Sequence, residues 1–120
     1  GHHDQWRGLG LDYETWLAPR RALRLADEIL TREEREALVG LDEALQTRRV
    51  TLTFSVKESL FKALYPLTRR RFYFQDAALV GDDRIRLLTT LSADWRQGEV
   101  LPFQWRNEGD GLLSWIRVPA

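Results

Sequence analysis

The sequence predicts an α+β domain in which helices pack on an antiparallel sheet. Three observations favour this fold class. Helical patterns occupy the first half of the chain, strand-like segments separated by turn residues occupy the last third, and 43% of the residues are apolar, as in a typical globular protein. The 120 residues correspond in length to one ordinary domain or to one lobe of a larger enzyme.

In the first half, the predicted elements are a strand over residues 6–11, helices over 19–30 and 32–46, a strand over 50–54 and a helix over 55–64. Thr31 and Glu34 match a capping box and mark the start of the second helix. Ser55 and Glu58 match a second capping box at the start of the third. Pro66 is expected to end that helix, because the residue before a proline avoids helical geometry.

Four strands are predicted in the last third, over residues 71–80, 84–91, 101–105 and 112–118. Gly81-Asp82-Asp83 separates the first two, and the turn-forming residues 107–111 precede the last. The Gly81 turn predicts a hairpin, so we expect the strands to form one antiparallel sheet.

Composition excludes several classes of protein. Lys plus Arg and Asp plus Glu number 18 each, whereas a dedicated nucleic-acid binder is expected to be basic. The chain has no cysteine, which excludes disulfides and cysteine-ligated zinc. No apolar run reaches membrane-span length and the first residues lack a signal-peptide pattern, so a cytoplasmic location is expected.

The start of the chain has an unusual composition. There is no methionine, even at the first position, so we expect that the chain is not a complete, unprocessed translation product. Residues 1–5 are interpreted as a tag remnant or a disordered end, and residues 6–120 as the domain. His2 and His3 belong to that end and are not assigned as ligands.

Asp12 and Glu14 form the first candidate site. In an extended segment both carboxylates project from one face, with Tyr13 on the other. Two oxygen donors on one face suit Mg²⁺, which takes one or two protein carboxylates together with substrate phosphates and water. Taken alone, an Asp-x-Glu pair at a strand end is more often solvated than bound to metal.

Lys57, Glu58 and Lys62 form the second candidate site. Glu58 and Lys62 are four residues apart and share a helix face. Taken alone, Glu58 could simply complete the capping box with Ser55, or Glu58 and Lys62 could form an ordinary surface ion pair of little energetic value.

The two groups in order form a more specific pattern. The segment GLDYE, residues 10–14, precedes FSVKESLFK, residues 54–62. Together they resemble the paired signature of the 4′-phosphopantetheinyl transferases, in which Gly, an aliphatic residue and Asp-x-Glu precede an aromatic residue, Ser-x-Lys-Glu, a spacer and Lys. Every fixed position is met. The flanking residues ILT before Glu34 and the segment KALYP, residues 62–66, are similar to the bacterial two-lobe subgroup that includes enterobactin synthetase component D.

The resemblance implies an activity and a set of site residues. Asp12, Glu14 and Glu58 correspond to ligands of a Mg²⁺ ion that bridges the coenzyme A pyrophosphate. Glu58, or a water that it orients, corresponds to the base that deprotonates a carrier-protein serine. Lys57 and Lys62 would contact phosphate, and Lys62 would also assist proton transfer. The implied reaction moves 4′-phosphopantetheine from coenzyme A to an acyl or peptidyl carrier protein, and the subgroup favours siderophore and other non-ribosomal peptide synthesis.

Two-lobe relatives also carry an N-terminal half with a Ser-x-Ser-His-like segment that helps to hold the adenosine phosphates. Only eleven residues precede Asp12, so the chain is interpreted as the C-terminal, catalytic lobe. We expect it to pair with itself or with an N-terminal lobe. One alternative is a non-catalytic lobe that keeps the fold and metal site but needs that partner to bind coenzyme A. Another is an unrelated α+β interaction domain that matches by chance.

Three features lie outside the family pattern. Tyr13 replaces a smaller residue and is harmless if it faces the core. Arg69 to Arg71 are interpreted as a solvated turn, with docking of an acidic carrier or of phosphate as the alternative. The tryptophans of the last third are expected in the core rather than as ligand stackers: Trp95, Trp105 and Trp115.

Overall fold

The structure of the protein, a computed structural model, describes residues 6–119. The predicted end at residues 1–5 lies outside these residues. The strands are Trp6–Thr15 (β1), Ala77–Val80 (β2), Arg84–Leu87 (β3), Val100–Pro102 (β4), Gln104–Glu108 (β5) and Gly111–Pro119 (β6). The helices are Pro19–Ile29 (α1), Arg32–Glu36 (α2) and Glu43–Thr68 (α3), and a 3₁₀ turn covers Phe74–Asp76.

The predicted α+β class is confirmed, but the strands form two antiparallel sheets rather than one. The sheet orders are β1-β6-β5 and β2-β3-β4. The strand predicted over residues 101–105 is divided at Phe103, which is buried and whose backbone N–H donates to the Asp83 carbonyl over 2.9 Å. This break sends β4 and β5 into different sheets. The strands predicted over 71–80 and 84–91 are also shorter than expected.

Helix α3 is the centre of the fold. It packs on β1 and β6 and also contacts α1. Apolar residues on α3 join residues from both sheets in one core, and a second, smaller cluster lies between α1 and α3. Because burial drives this packing, the long helix has apolar contacts on several sides instead of a single apolar stripe.

The prediction of a strand over residues 50–54 is wrong, because this segment is part of α3. Its β-branched residues favour a strand locally. In the helix, Thr51 and Thr53 donate their hydroxyls to the carbonyls of Thr47 and Arg49, over 2.9 and 2.7 Å. These bonds and burial against the core stabilise the helical conformation despite the local preference.

The helix predicted over residues 32–46 is two helices. The capping box that begins α2 is confirmed, since Glu34 N–H donates to Thr31 Oγ1 over 3.2 Å and Thr31 N–H donates to Glu34 Oε1 over 2.8 Å. The chain then turns through Gly40, whose φ of +92° favours glycine. Asp42 caps α3 by accepting a backbone N–H.

The predicted second capping box is also wrong, because Ser55 lies in the interior of α3. Pro66 does not end this helix. It lies in the last turn, where Arg69 N–H donates to the Tyr65 carbonyl over 2.7 Å, and the helix continues to Thr68. The hairpin predicted at Gly81 is confirmed by the antiparallel pairing of β2 and β3.

The tryptophans differ in environment. Trp95 is buried in the main core and Trp105 packs partly against it, as predicted. Trp115 instead lines a groove with Leu9 and Leu11 on the outer face of the β1-β6-β5 sheet. None of the helices within residues 6–119 has the length and apolar character needed to cross a bilayer.

Candidate active site

The candidate site lies where β1 packs on α3. Strand β1 continues to Thr15, so Asp12 and Glu14 lie within the strand and on one face of it, as their spacing predicts. Asp12 is only 6% exposed. Tyr13 is on the opposite face, is 46% exposed and donates its hydroxyl to the Glu108 carbonyl over 3.0 Å. Tyr13 therefore lies on the face opposite the two carboxylates, as the strand spacing predicts, and that face is exposed.

An ion pair between Lys62 of α3 and Asp12 of β1 links the helix to the strand. Lys62 Nζ donates to Asp12 Oδ1 over 2.9 Å, and its side chain remains 52% exposed. Glu58 lies one turn earlier on the same helix, partly buried and close enough to interact electrostatically with Asp12 and Lys62. The structure thus brings Asp12, Glu14, Glu58 and Lys62 together, although their sequence positions are far apart.

The electrostatics of the group reflect three carboxyls around one lysine. Burial, a hydrogen bond with Asp12 and the charges of Asp12 and Glu58 raise the pKa of Glu14 from 4.5 to about 7, and Lys62 opposes this rise. Burial and the charge of Asp12 raise the pKa of Glu58. The hydrogen bond to Asp12 and the surrounding carboxylates raise the pKa of Lys62, against a smaller effect of burial.

One oxygen of the group has no protein donor. Asp12 Oδ2 is buried without a hydrogen-bond partner, and the Glu14 carboxyl can donate to Asp12 only while it keeps its own proton. An unpaired buried carboxylate oxygen beside two further carboxyls fits a hard cation. As they stand, the acidic side chains within residues 6–119 form no group of three or more that is ready to hold a metal. Lys62 supplies the positive charge at this point.

Lys57 is not part of this group. It is 0% exposed and its Nζ donates to Glu34 on α2 and to two backbone carbonyls. Burial lowers the pKa of Lys57, and the ion pair with Glu34 opposes this change. The structure therefore separates the two lysines to which the family resemblance assigns a common role in phosphate contact.

A buried serine cluster that no sequence motif indicated lies behind the site. Ser114 Oγ on β6 lies 2.7 Å from Ser55 Oγ and 2.8 Å from Ser59 Oγ, and all three side chains are buried. The only signal in the sequence is the four-residue spacing of Ser55 and Ser59, which puts them on one helix face. The cluster holds α3 against the sheet directly behind Asp12.

An open groove of about 420 Å³ adjoins Lys62. Aromatic residues and proline form much of its wall, and two arginines of the segment after α3 also line it. The lining residues besides Lys62 are Phe61, Tyr65, Pro66, Arg70, Arg71 and Phe72.

Comparisons with known proteins found one family and similar solved structures. The sequence profile of the 4′-phosphopantetheinyl transferase superfamily matches residues 8–114, which include both segments of the site. No curated protein is similar enough in sequence to count as a relative. The crystal structure of a holo-(acyl-carrier-protein) synthase from Bacillus anthracis str. Ames, in complex with CoA (3′,5′-ADP), has a similar fold, with a TM-score of 0.65 and 16% sequence identity. The similarity covers 97% of this chain and 98% of that chain.

The structural likeness shows the fold, and the profile match shows the family. A chance match by an unrelated interaction domain is thereby excluded, because the match extends over most of the chain and not over the two short motifs alone. The chain belongs to the 4′-phosphopantetheinyl transferase superfamily.

Proposed function

We propose that this chain carries the catalytic site of a magnesium-dependent 4′-phosphopantetheinyl transferase. The donor is coenzyme A, and the acceptor is a serine of an acyl or peptidyl carrier protein. The observation that carries the proposal is the convergence of Asp12, Glu14, Glu58 and Lys62 between β1 and α3. The proposal keeps the expectation of a cytoplasmic enzyme and of a peptide-synthetase or siderophore pathway.

Asp12, Glu14 and Glu58 are the residues that would hold Mg²⁺. The unpaired Asp12 oxygen supports this, as does the close grouping of the three carboxyls, in which the charge of Asp12 adds to burial in raising the pKa values of Glu14 and Glu58. When bound, the ion would neutralise charge on the coenzyme A pyrophosphate. Lys62 is exposed enough to exchange its contact with Asp12 for a phosphate oxygen.

Glu58 is the proposed base. Its raised pKa brings it closer to neutrality, where a general base is most effective. Glu58 takes the proton of the carrier serine, the serine oxygen bonds to the phosphorus that carries the pantetheine, and the bond from that phosphorus to 3′,5′-ADP breaks. Lys62 stabilises the negative charge that moves to the departing phosphate.

The groove beside Lys62 supports the assignment of the donor. Its aromatic walls suit the neutral, flexible pantetheine arm. Because the groove adjoins Lys62, a bound arm would place its phosphate beside the carboxyls of Asp12, Glu14 and Glu58. Arg70 and Arg71 line the same groove, which favours the alternative of docking a carrier or phosphate over a purely solvated turn.

The outer face of the β1-β6-β5 sheet supports pairing with a second lobe. Leu9, Leu11 and Tyr13 are exposed there, next to the groove lined by Trp115. Exposed apolar patches of this kind commonly mark association surfaces. A second copy of the chain or an N-terminal lobe would cover this face. Light scattering should then show a dimer or larger assembly of the isolated chain if the partner is a second copy.

The test is transfer of a fluorescent coenzyme A derivative to a peptidyl carrier protein, with Mg²⁺ and with EDTA. Wild type should label the carrier only with Mg²⁺, and Glu58→Gln should abolish labelling without lowering the melting temperature. Labelling that persists in EDTA or in Glu58→Gln would contradict the proposed site. A folded wild-type chain that neither binds 3′,5′-ADP nor transfers the label would favour the alternative, a lobe that needs its N-terminal partner to bind coenzyme A.

A further inference from the structure

We infer that Lys57 is a positioning residue rather than a phosphate contact, and that its ion pair with Glu34 sets the rotation of α3 that directs Glu58 and Lys62 toward β1. The inference rests on the proposed function for the roles of Glu58 and Lys62. The arrangement of Lys57 itself is independent of that function.

All the hydrogen-bonding capacity of Lys57 is used inside the protein. An ammonium group has three N–H donors. Lys57 Nζ donates to the Ile29 carbonyl, to Glu34 Oε1 and to the Phe74 carbonyl, each over 2.7 Å. The side chain is fully buried, so no donor and no surface remain for a phosphate.

Glu34 connects this lysine to the rest of the fold. Its Oε1 accepts from Lys57 Nζ and from the Thr31 N–H, over 2.7 and 2.8 Å. Its Oε2 accepts from the Leu79 N–H of β2 over 2.8 Å. One ion pair therefore links α3 to the end of α1, to the start of α2 and to the sheet that contains β2.

These links fix the orientation of the site residues. Successive residues on a helix point about 100° apart, so the direction of Lys57 determines the direction of Glu58. On another face of α3, Ser55 and Ser59 contact Ser114 of β6. The helix is thus held on two sides, close to Glu58, and cannot rotate without breaking buried polar contacts.

Lys62 differs from Lys57 in both its hydrogen bonds and its exposure, and it is available to bind phosphate. It has a single partner among the described bonds, Asp12, and half of its side chain is exposed. Lys57 and Lys62 are the only two lysines of the chain. Amine chemistry can therefore distinguish the two roles in the unaltered protein.

The first experiment is acetylation of the native wild-type chain by a limiting amine-reactive ester, with peptide mass spectrometry, with and without 3′,5′-ADP and Mg²⁺. Lys62 should react at least ten times faster than Lys57, and 3′,5′-ADP should slow only Lys62. Comparable reaction of Lys57, slowed by 3′,5′-ADP, would overturn the inference. If 3′,5′-ADP protects neither lysine and Lys57 is still unreactive, the result would count against the proposed function but not against the buried, positioning role of Lys57.

The second experiment compares Lys57→Met, Lys57→Met with Glu34→Gln, and Lys62→Met. The single Lys57 change leaves the Glu34 charge buried and unpaired, so it should lower the melting temperature by roughly 10 °C or more. The added Glu34→Gln change removes that charge and should restore most of the loss. Lys62→Met should weaken 3′,5′-ADP binding at least tenfold.

A positioning role also predicts a kinetic signature. Well below its melting temperature, Lys57→Met should lower kcat at least tenfold and weaken the Kd for 3′,5′-ADP much less than Lys62→Met does. The double variant should recover part of the lost kcat. An unchanged kcat would show that Lys57 supports stability alone, and a Kd weakened in both Lys57 variants as much as in Lys62→Met would show that Lys57 contacts phosphate. Either result would overturn the inference.

Discussion

Gly10 of β1 and Ser59 of α3 are in direct backbone contact. A Cβ atom on Gly10 would lie 1.8 Å from the Ser59 carbonyl oxygen and 2.8 Å from the Ala63 nitrogen. Glycine is needed here for close approach and not for a turn. The contact sets the distance between strand and helix at which Lys62 reaches Asp12, so the glycine of the sequence motif serves the site through packing.

Gly10→Ala should destabilise the protein by about 3 kcal/mol or more, because the new methyl group meets backbone atoms that cannot move aside easily. Chemical denaturation measures the loss. Gly40→Ala is the matched control: it has open space and a positive φ, so it should lose only about 1 kcal/mol from backbone strain. Equal losses in the two variants would show that close packing at Gly10 is unimportant.

Ser114→Ala should cost about 1–2 kcal/mol, because it removes the hydroxyl that Ser55 and Ser59 share in the buried interface. Ser55→Ala combined with Ser114→Ala should cost less than the sum of the two single changes, since removing both partners leaves fewer unsatisfied groups. Urea unfolding of the three variants measures the coupling. Strict additivity would mean that the serine contacts contribute nothing to the attachment of α3.

Lys62→Met should lower kcat/KM for carrier labelling by about 100-fold or more, because it removes the charge that we propose stabilises the reacting phosphate. Lys62→Arg keeps the charge but not the compact ammonium group, so we expect an intermediate loss. Steady-state labelling with saturating carrier measures both. A Lys62→Met enzyme with wild-type kcat/KM would remove Lys62 from the proposed mechanism.

The stability of the metal-free protein should fall as the pH rises through neutrality. Burial and the neighbouring Asp12 raise the pKa of Glu14 from 4.5 to about 7, so the folded state holds this proton more tightly than the unfolded state. The resulting stabilisation is complete below about pH 4.5 and is lost as the pH rises through about 7. Between about pH 5 and pH 8, the melting temperature of wild type should therefore fall relative to that of Glu14→Gln.

At about pH 8, added Mg²⁺ should raise the melting temperature of wild type more than that of Glu14→Gln, because the ion replaces the proton at a carboxylate that the variant lacks.

Parallel pH profiles for the two metal-free proteins would contradict the pH prediction, since they would show that the Glu14 carboxyl does not keep its proton in the folded state.

Arg69→Gly should stabilise the protein by up to about 1 kcal/mol. Arg69 caps α3 with a φ of +55°, in the left-handed region that glycine adopts more readily than arginine does. Thermal and urea unfolding check the gain. Arg70→Gly is the control, since Arg70 is not among the positive-φ residues of the described chain, and it should give no gain.

Some features of the fold were determined by neighbouring residues and were predictable. Thr31 and Glu34 form a capping box because the two partners are three residues apart and need no distant contact. The Gly81 hairpin depends in the same way on a local turn. The common face of Asp12 and Glu14 follows from strand alternation. The family resemblance rested on residue identities, which need no geometry at all.

Other features depended on tertiary contacts. Residues 50–54 form helix instead of strand because burial outweighs their local preference: Leu52 lies in the main core, and Val50 and Phe54 lie in the cluster between α1 and α3. Phe103 divides a predicted strand because its backbone and side chain satisfy contacts outside the sheet.

The sequence by itself determined the family, the α+β class and which side chains are candidates for the site. Only the tertiary structure decided which of them meet. It pairs Lys62 with Asp12 across fifty positions and encloses Lys57 with Glu34, although both lysines belong to one motif on one helix. The physical reason is that helical rotation sends residues 57 and 62 in different directions, so their roles depend on what each face of α3 packs against.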